Sequence, residues 1–292
     1  MSIPAVVEKV LKESVHPSLT IRAGRALGGG CINHAMKIET SHGDFFVKYN
    51  AHAASDLFLR EAECLEELSK SGTSLVVPRV VAATAVQDGT PAVLITEYLA
   101  PPHSTADYDE RLGRGLAELH RFTAESFGFH HHNYCGSTPQ DNTWNKDWAG
   151  FFGEQRIWKL VKRIAGKGDY RSGEIKTFET LVERLPRLIG HKPIPSLIHG
   201  DLWSGNYMPS ARGPAIIDPA SWYADRECEF SIMNMFGGFS SKVFQAYNEA
   251  YPLPPEWKQR NDLYMLYHYL NHYYLFGGGY GGQALAIAKK YC

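Results

Sequence analysis

The chain has no paired cysteines, no long apolar run and no excess of charge of either sign. Its five cysteines are Cys31, Cys64, Cys135, Cys228 and Cys292. The number is odd and no two stand as CxxC, which argues against a disulfide framework or a zinc site. No stretch approaches the roughly 18 consecutive apolar residues that a membrane span needs. Thirty basic residues face thirty-one acidic ones, so the basic surplus of a nucleic-acid binder is missing. We therefore expect neither a nucleic-acid nor a membrane partner. There is no internal repeat and no low-complexity tract. Pro4 followed by Val6, Val7, Val10 and Leu11, with Glu8, Lys9 and Lys12 interspersed, predicts an amphipathic helix in place of a signal peptide, and with it a cytoplasmic protein. In the trio His130-His131-His132, adjacent side chains diverge, and such runs rarely share one ion.

The 292 residues, 44% hydrophobic and 21% charged, suffice for two lobes and a sizeable core. The first hundred residues read mostly as strands. A short extended run at 19–23 is broken by Gly24 and Gly28-Gly29-Gly30. A hairpin follows over 34–39 and 45–48, then a helix over 55–70, then a second hairpin over 80–86 and 92–98. Pro101-Pro102 marks a boundary. Beyond it the apolar period turns helical: Leu112, Leu116, Leu119; Trp148, Phe151, Phe152, Trp158, Val161; Ile175, Phe178, Leu181, Val182, Leu185; then Phe230 to Phe236, with Val243, Phe244 and Tyr247 in the same helix or one close after; and a late helix with Leu263, Leu266, Tyr267 and Leu270. This predicts an α+β, bilobal protein-kinase-like architecture. Residues 1–98 form a small antiparallel-sheet lobe and 99–292 a larger, mainly helical one.

The most informative stretch is HGDLWSGN at 199–206, which follows the apolar run Ser196-Leu197-Ile198. Asp201 and Asn206 stand five apart. Twelve residues past Asn206, Ile216-Ile217 ends in Asp218. Two acids and an amide at these spacings resemble a kinase catalytic core. There, one Asp receives the acceptor hydroxyl's proton, and an Asn and a second Asp hold Mg²⁺ on the ATP phosphates. An exposed carboxylate with a pKa near 4 is a weak base, so positioning must supply much of the acceleration. His199 is expected to brace the loop. Upstream, Gly28, Gly29 and Gly30 let backbone N–H groups approach phosphate, and Lys48 ends the next hairpin where it can reach the phosphates. Glu61, thirteen residues on, is the favoured partner for Lys48 because it precedes the inward-facing Leu65 and Leu68. Glu63 is its rival, while Glu66 and Glu67 are expected to face solvent. Thr96, Glu97, Tyr98 and Leu99 occupy the hinge position that meets adenine. Pro219 after Asp218 predicts an extended Asp218. No long activation segment ending in Ala-Pro-Glu is visible, which favours a small-molecule kinase over a regulated protein kinase.

Taken together, GGGCIN (28–33), FFVK (45–48), STPQDNTW (137–144), FFGEQRI (151–157), HGDLWSGN (199–206), IDPA (217–220), DRE (225–227), MFGGF (235–239) and LFGG (275–278) resemble the fructosamine kinase (ketosamine-3-kinase) family, a branch of the aminoglycoside phosphotransferase and choline kinase-like enzymes. The resemblance implies ATP- and Mg²⁺-dependent phosphorylation of a sugar hydroxyl on a ketoamine, giving a labile 3-phosphate whose loss restores the amine. It carries over Asp201 as catalytic residue, Asn206 and Asp218 as metal ligands, and Lys48 with Glu61 as the phosphate-positioning pair. It makes Trp203 a candidate sugar platform, and Asp225 and Arg226 braces of the catalytic loop. Cys31 closes the glycine loop, where basic surroundings favour a thiolate. It is a candidate redox switch, with a monomer or a Cys31-linked homodimer as the alternatives. Aminoglycoside or choline kinases, with a tyrosine cage from Tyr264, Tyr267, Tyr269, Tyr273 and Tyr274, remain the rival within kinases. A non-catalytic kinase-like binding module is the rival outside them.

Overall fold

Alternation along one central strand sets the geometry of the N-terminal part. The computed structural model describes residues 3–28, 33–87 and 89–292. Strands β1 (Ile21–Leu27), β2 (His34–Thr40), β3 (Gly43–Asn50), β4 (Val80–Ala83) and β5 (Ala92–Glu97) form an antiparallel sheet in the order β1-β2-β3-β5-β4. Met36, Val47 and Ile95 lie side by side and are fully buried. They face Val7, Val10 and Leu11 of helix α1 (Ala5–Ser14). Successive strand residues point to opposite faces, so Lys48 emerges on the other side. There Leu57, Phe58, Ala62 and Leu65 of helix α2 (Leu57–Lys70) cover Ala92 and Leu94. The helix therefore presents Glu61 to Lys48.

The rest is mainly helical. Helix α3 (Tyr108–Leu119) is followed by the ribbon β6 (Asn133–Cys135) and β7 (Thr138–Gln140). A continuous helical rod then comprises α4 (Trp148–Gly150), a π-helical stretch Phe151–Trp158 and α5 (Lys159–Gly166). Helix α6 (Ser172–Ile189) leads to β8 (Ser196–Ile198), β9 (Tyr207–Ser210), β10 (Gly213–Ile216) and β11 (Trp222–Ala224). Helices α7 (Glu227–Phe236), α8 (Ser241–Ala250), α9 (Trp257–Phe276) and α10 (Tyr280–Tyr291) complete the chain. Their core joins Phe151, Phe152, Phe178, Trp222, Phe230 and Tyr264.

Two short pairings position the catalytic segments. β8 pairs with β11 and β9 with β10, both antiparallel. The loop leaving β8 and the turn leaving β10 are thus clamped side by side.

The structure refines several sequence expectations. The apolar run at 230–247 is two helices, because Gly237 and Gly238 take φ of +65° and +90° and end α7. The stripe at 148–161 is helical but π-wound over 151–158. That stretch carries Arg156, buried with its guanidinium 4.0 Å from the Trp222 ring centroid. Helix α10 has no strong apolar stripe; its buried positions are Gly281, Ala284 and Ala288.

Candidate active site

Lys48 is 5% exposed. Its Nζ donates to Glu61 Oε1 at 2.7 Å and lies 2.5 Å from Asp218 Oδ1. Burial alone would depress its pKa, but the Asp218 and Glu61 carboxylates outweigh burial and hold it above the ordinary value. Lys48 is therefore a fixed cation. The Glu61 carboxyl is shifted upward, first by burial and then by Asp218, against the pull of Lys48. Glu63 is engaged elsewhere, by Arg60 at 2.8 Å and His131 at 3.2 Å. Contrary to expectation, Glu67 is buried. It accepts from Tyr223 Oη at 2.6 Å, from Lys70 at 3.0 Å and lies 3.2 Å from His130 Nε2. Helix α2 is flanked by the C-terminal part, so the face expected to meet solvent meets protein.

The loop after β8 hangs from a residue the sequence reading did not select. Glu229, fully buried in α7, accepts the His199 N–H at 2.5 Å and the Gly200 N–H at 3.2 Å. The bracing expected of Asp225 and Arg226 falls to Glu229. Asp225 instead accepts from Tyr264 Oη at 2.6 Å, and Arg226 donates to Tyr247 Oη and to the carbonyls of Tyr251 and Pro252. The sequence carried no signal for it, because Glu229 shares the first turn of α7 with a second acid, Glu227, and only the packing shows its burial. His199 does brace the loop: its Nδ1 accepts the Asp201 N–H at 3.3 Å, which leaves Nε2–H to donate to the Ile217 carbonyl at 2.8 Å. Burial lowers its pKa, so the ring is neutral.

Asp201 and Asp218 are linked through one amide. Asn206 Nδ2 donates to the Asp201 carbonyl at 2.8 Å and approaches Asp201 Oδ2 at 3.3 Å and the Asp218 carbonyl at 3.5 Å. Desolvation first, then the Asp218 and Glu229 carboxylates, raise the Asp201 pKa to about 8 against the Asn206 hydrogen bond. The expectation of an ordinary exposed carboxylate is thus corrected. So is that of an extended Asp218: its φ is +56°, the one positive value among the described non-glycine residues. Asp tolerates this region better than most residues. The Ile217 N–H to Asn206 carbonyl and Ala220 N–H to His199 carbonyl bonds pin the chain on either side. The strain, on the order of 1–3 kcal/mol, is held by these contacts.

Two further groups cluster with Asp201. Ligating atoms of Cys135, Asp201 and His268 lie within 4.8 Å of one another, and neither Cys135 nor His268 was selected from sequence. A thiol and an imidazole do not suit Mg²⁺, which takes hard oxygen donors. Asn206 Oδ1 and the Asp218 carboxylate do. Asn206 Oδ1 accepts no hydrogen bond among the described residues, because the amide presents its nitrogen to Asp201. At the hinge position Thr96 and Leu99 are buried, and the N–H groups of Glu97 and Tyr98 already donate to the carbonyls of Arg79 and Asp44. Among the described residues, nothing lies within 4 Å of a Cβ placed on Gly28. Gly29, Gly30 and Cys31 lie outside the described residues. Trp203 is 37% exposed and its ring covers Gly205. In the tyrosine-rich tail, Tyr264 and Tyr267 are core residues whose hydroxyls are held by Asp225 and Gln140, so they form no open cage. Among the described residues no helix is long and apolar enough to cross a membrane.

A buried Lys–Glu pair facing a strained Asp, with a second Asp held across an Asn, is an arrangement suited to phosphoryl transfer. The chain as a whole is similar to several known proteins. An aminoglycoside phosphotransferase APH(4)-Ia, crystallised with AMP-PNP and hygromycin B, superposes with a TM-score of 0.64 over 98% of both chains at 14% identity, which shows a shared fold. The crystal structure of a putative fructosamine-3-kinase from Thermobifida fusca matches at a TM-score of 0.86 and 32% identity, covering 99% of this chain and 98% of that one. A chloroplastic protein-ribulosamine 3-kinase from Arabidopsis thaliana is 38% identical, covering 100% of this chain and 88% of its own length. The family model described as fructosamine kinase matches residues 4–292, and the chain belongs to that family.

Proposed function

We propose that this protein is an ATP- and Mg²⁺-dependent kinase that phosphorylates a sugar hydroxyl of ketoamines, fructosamine or ribulosamine adducts of amines, and so initiates deglycation. One observation carries the reading: the Lys48 ammonium seated between Glu61 and Asp218, with Asp201 tied to Asp218 through Asn206. The nucleotide occupies the seam between residues 1–98 and 99–292. Gly28, Gly29 and Gly30 cover its phosphates, and Thr96 to Leu99 border adenine. Lys48 neutralises phosphate charge, held in register by Glu61. Asn206 and Asp218 supply oxygen ligands to the metal, whose contribution when bound is to offset charge on the phosphates. Asp201 orients the acceptor hydroxyl and takes its proton. Trp203 offers an exposed ring beside Asp201 as the sugar platform. A 3-phosphate beside a ketone carbonyl is labile: once the ketoamine enolises, the C3–O bond breaks and inorganic phosphate leaves, and water then hydrolyses the resulting imine at its C–N bond, releasing the free amine.

The test is ADP formation with fructosyl-lysine, ribulosyl-lysine, kanamycin and choline as acceptors. Turnover is expected with the ketoamines. Asp201→Asn should lower kcat by about 10²–10⁴, the usual worth of a positioned base. Undiminished ketoamine-dependent ADP release in that variant would remove Asp201 from the mechanism. Turnover of kanamycin or choline alone would replace the substrate assignment.

A further inference from the structure

Two motifs have no part in the chemistry above: MFGGF at 235–239 and LFGG at 275–278. They are far apart in sequence, and the fold brings them to one place. Each ends a helix: α7 stops after Phe236 at Gly237-Gly238, and α9 stops after Phe276 at Gly277-Gly278. Each leaves a phenylalanine in the open, Phe236 at 42% and Phe276 at 57% exposure. Exposed side chains of this size are few, and contiguous ones mark binding surfaces.

The rings are contiguous. Trp203 meets Phe236 with centroids 6.0 Å apart, Phe236 meets His272 at 5.1 Å, and His272 meets Phe276 at 5.7 Å and Tyr280 at 5.2 Å. The track begins at the catalytic loop itself, where the Trp203 N–H donates to the Asp201 carbonyl at 3.0 Å. The end of α7 is pressed onto that loop. A Cβ on Gly238 would stand 2.7 Å from the Ser204 Cβ, closer than carbon atoms tolerate. Directly beyond Phe236 the surface opens into a cavity of about 260 Å³ lined by Met235, Phe236, Tyr269, Gly279, Tyr280 and Gln283. No lining residue is charged. Complete small-molecule sites run from roughly 300 to 1,000 Å³, so this one suits part of a ligand whose remainder lies elsewhere.

We propose that this cavity is the subsite for the amine substituent of the ketoamine, and that it selects an uncharged substituent with an apolar or aromatic body. This rests on the functional reading above. With the sugar over Trp203 and its hydroxyl at Asp201, the substituent runs along Phe236 into the cavity, where Tyr269, Tyr280 and Met235 enclose it. The lining carries no charged side chain to form an ion pair with a charged substituent, and burying a charge without such a pair is costly.

The experiment compares two fructosamines that differ only in the amine, one made from methylamine and one from 2-phenylethylamine, using the full-length protein with ATP and Mg²⁺. The phenylethyl compound is expected to show a KM about tenfold lower at similar kcat. Tyr280→Ala should raise its KM about tenfold and leave that of the methyl compound within about twofold. Gln283→Trp, an exposed change that fills the cavity, should do the same without removing a packed side chain. Equal KM values for the two compounds in the unaltered protein would overturn the subsite while leaving the kinase reading intact. Parallel shifts for both compounds in folded Gln283→Trp would also overturn it. Turnover of neither compound would overturn both.

Discussion

Gly205 shows how a single absent carbon shapes this site. A Cβ there would fall 2.2 Å from the Trp203 ring, so only glycine lets the indole lie across the loop. Gly205→Ala should displace the ring, raise KM for a ketoamine about tenfold and shift the tryptophan emission, with a smaller effect on kcat. Steady-state kinetics alongside fluorescence check this, and an unchanged KM would remove Trp203 from substrate binding. Residues of this kind divide by how legible they are in sequence. Lys48, Asp201, Asn206 and Asp218 stood out because charge and spacing together carry the chemistry. Glu229 and Glu67 did not. A carboxylate in a helix is ordinarily a solvated one, and only tertiary contact shows that both are buried and accept hydrogen bonds. The Asp201 environment was likewise invisible, since desolvation depends on everything packed around the loop.

At the level of elements, the junction of α6 and α7 carries a pH-sensitive contact. α6 ends at Ile189 and is capped by Gly190 with φ of +66°, and the next residue, His191, places Nε2 2.9 Å from Asp225 Oδ2. Burial opposes charging of this imidazole, but the hydrogen bond and charge of Asp225 prevail and its pKa is raised. The folded state therefore binds this proton more tightly than the unfolded chain. The stabilisation is fully present below the unfolded value of about 6.5 and is lost as pH rises through the higher folded value. The Tm deficit of His191→Gln should accordingly be larger at pH 6 than at pH 9; a deficit independent of pH would rule the contact out. The elements themselves were read well where period and punctuation agree, as for the hairpin ending in Lys48 and for helix α2. They were read poorly where one fails. The π-wound stretch at 151–158 keeps a helical stripe, so sequence cannot reveal its winding. The ribbon β6–β7 is too short for a period, and α10 buries only glycine and alanine, which leave little hydrophobic pattern.

Across the whole molecule, α2 belongs to both halves. Its Glu61 engages Lys48 in the sheet, while Cys64 Sγ accepts from Asn133, Glu67 from Tyr223, and Glu63 and Glu67 lie beside His131 and His130. Just ahead of the helix, Asp56 accepts from Tyr134 Oη at 2.7 Å. The bilobal plan was legible from the change of apolar period near Pro101-Pro102. This cross-linking was not, because it joins residues 63 to 156 positions apart. Nucleotide bound in the seam should stabilise the assembly as one unit. At about 100 times its Kd, ATP with Mg²⁺ is expected to add about 2.7 kcal/mol, a rise of several degrees in Tm. Chelating the metal should remove most of that rise, and Asp218→Asn should make the shift insensitive to Mg²⁺. Thermal melts with and without EDTA decide this, and a full shift without metal would displace Asn206 and Asp218 as its ligands. The tethers on α2 have an operational corollary. Regulated kinases idle by swinging the equivalent helix outward and parting its glutamate from the lysine. Here that movement would have to sever several separate moorings together, so the rest of the protein locks the helix in the position that keeps Glu61 on Lys48.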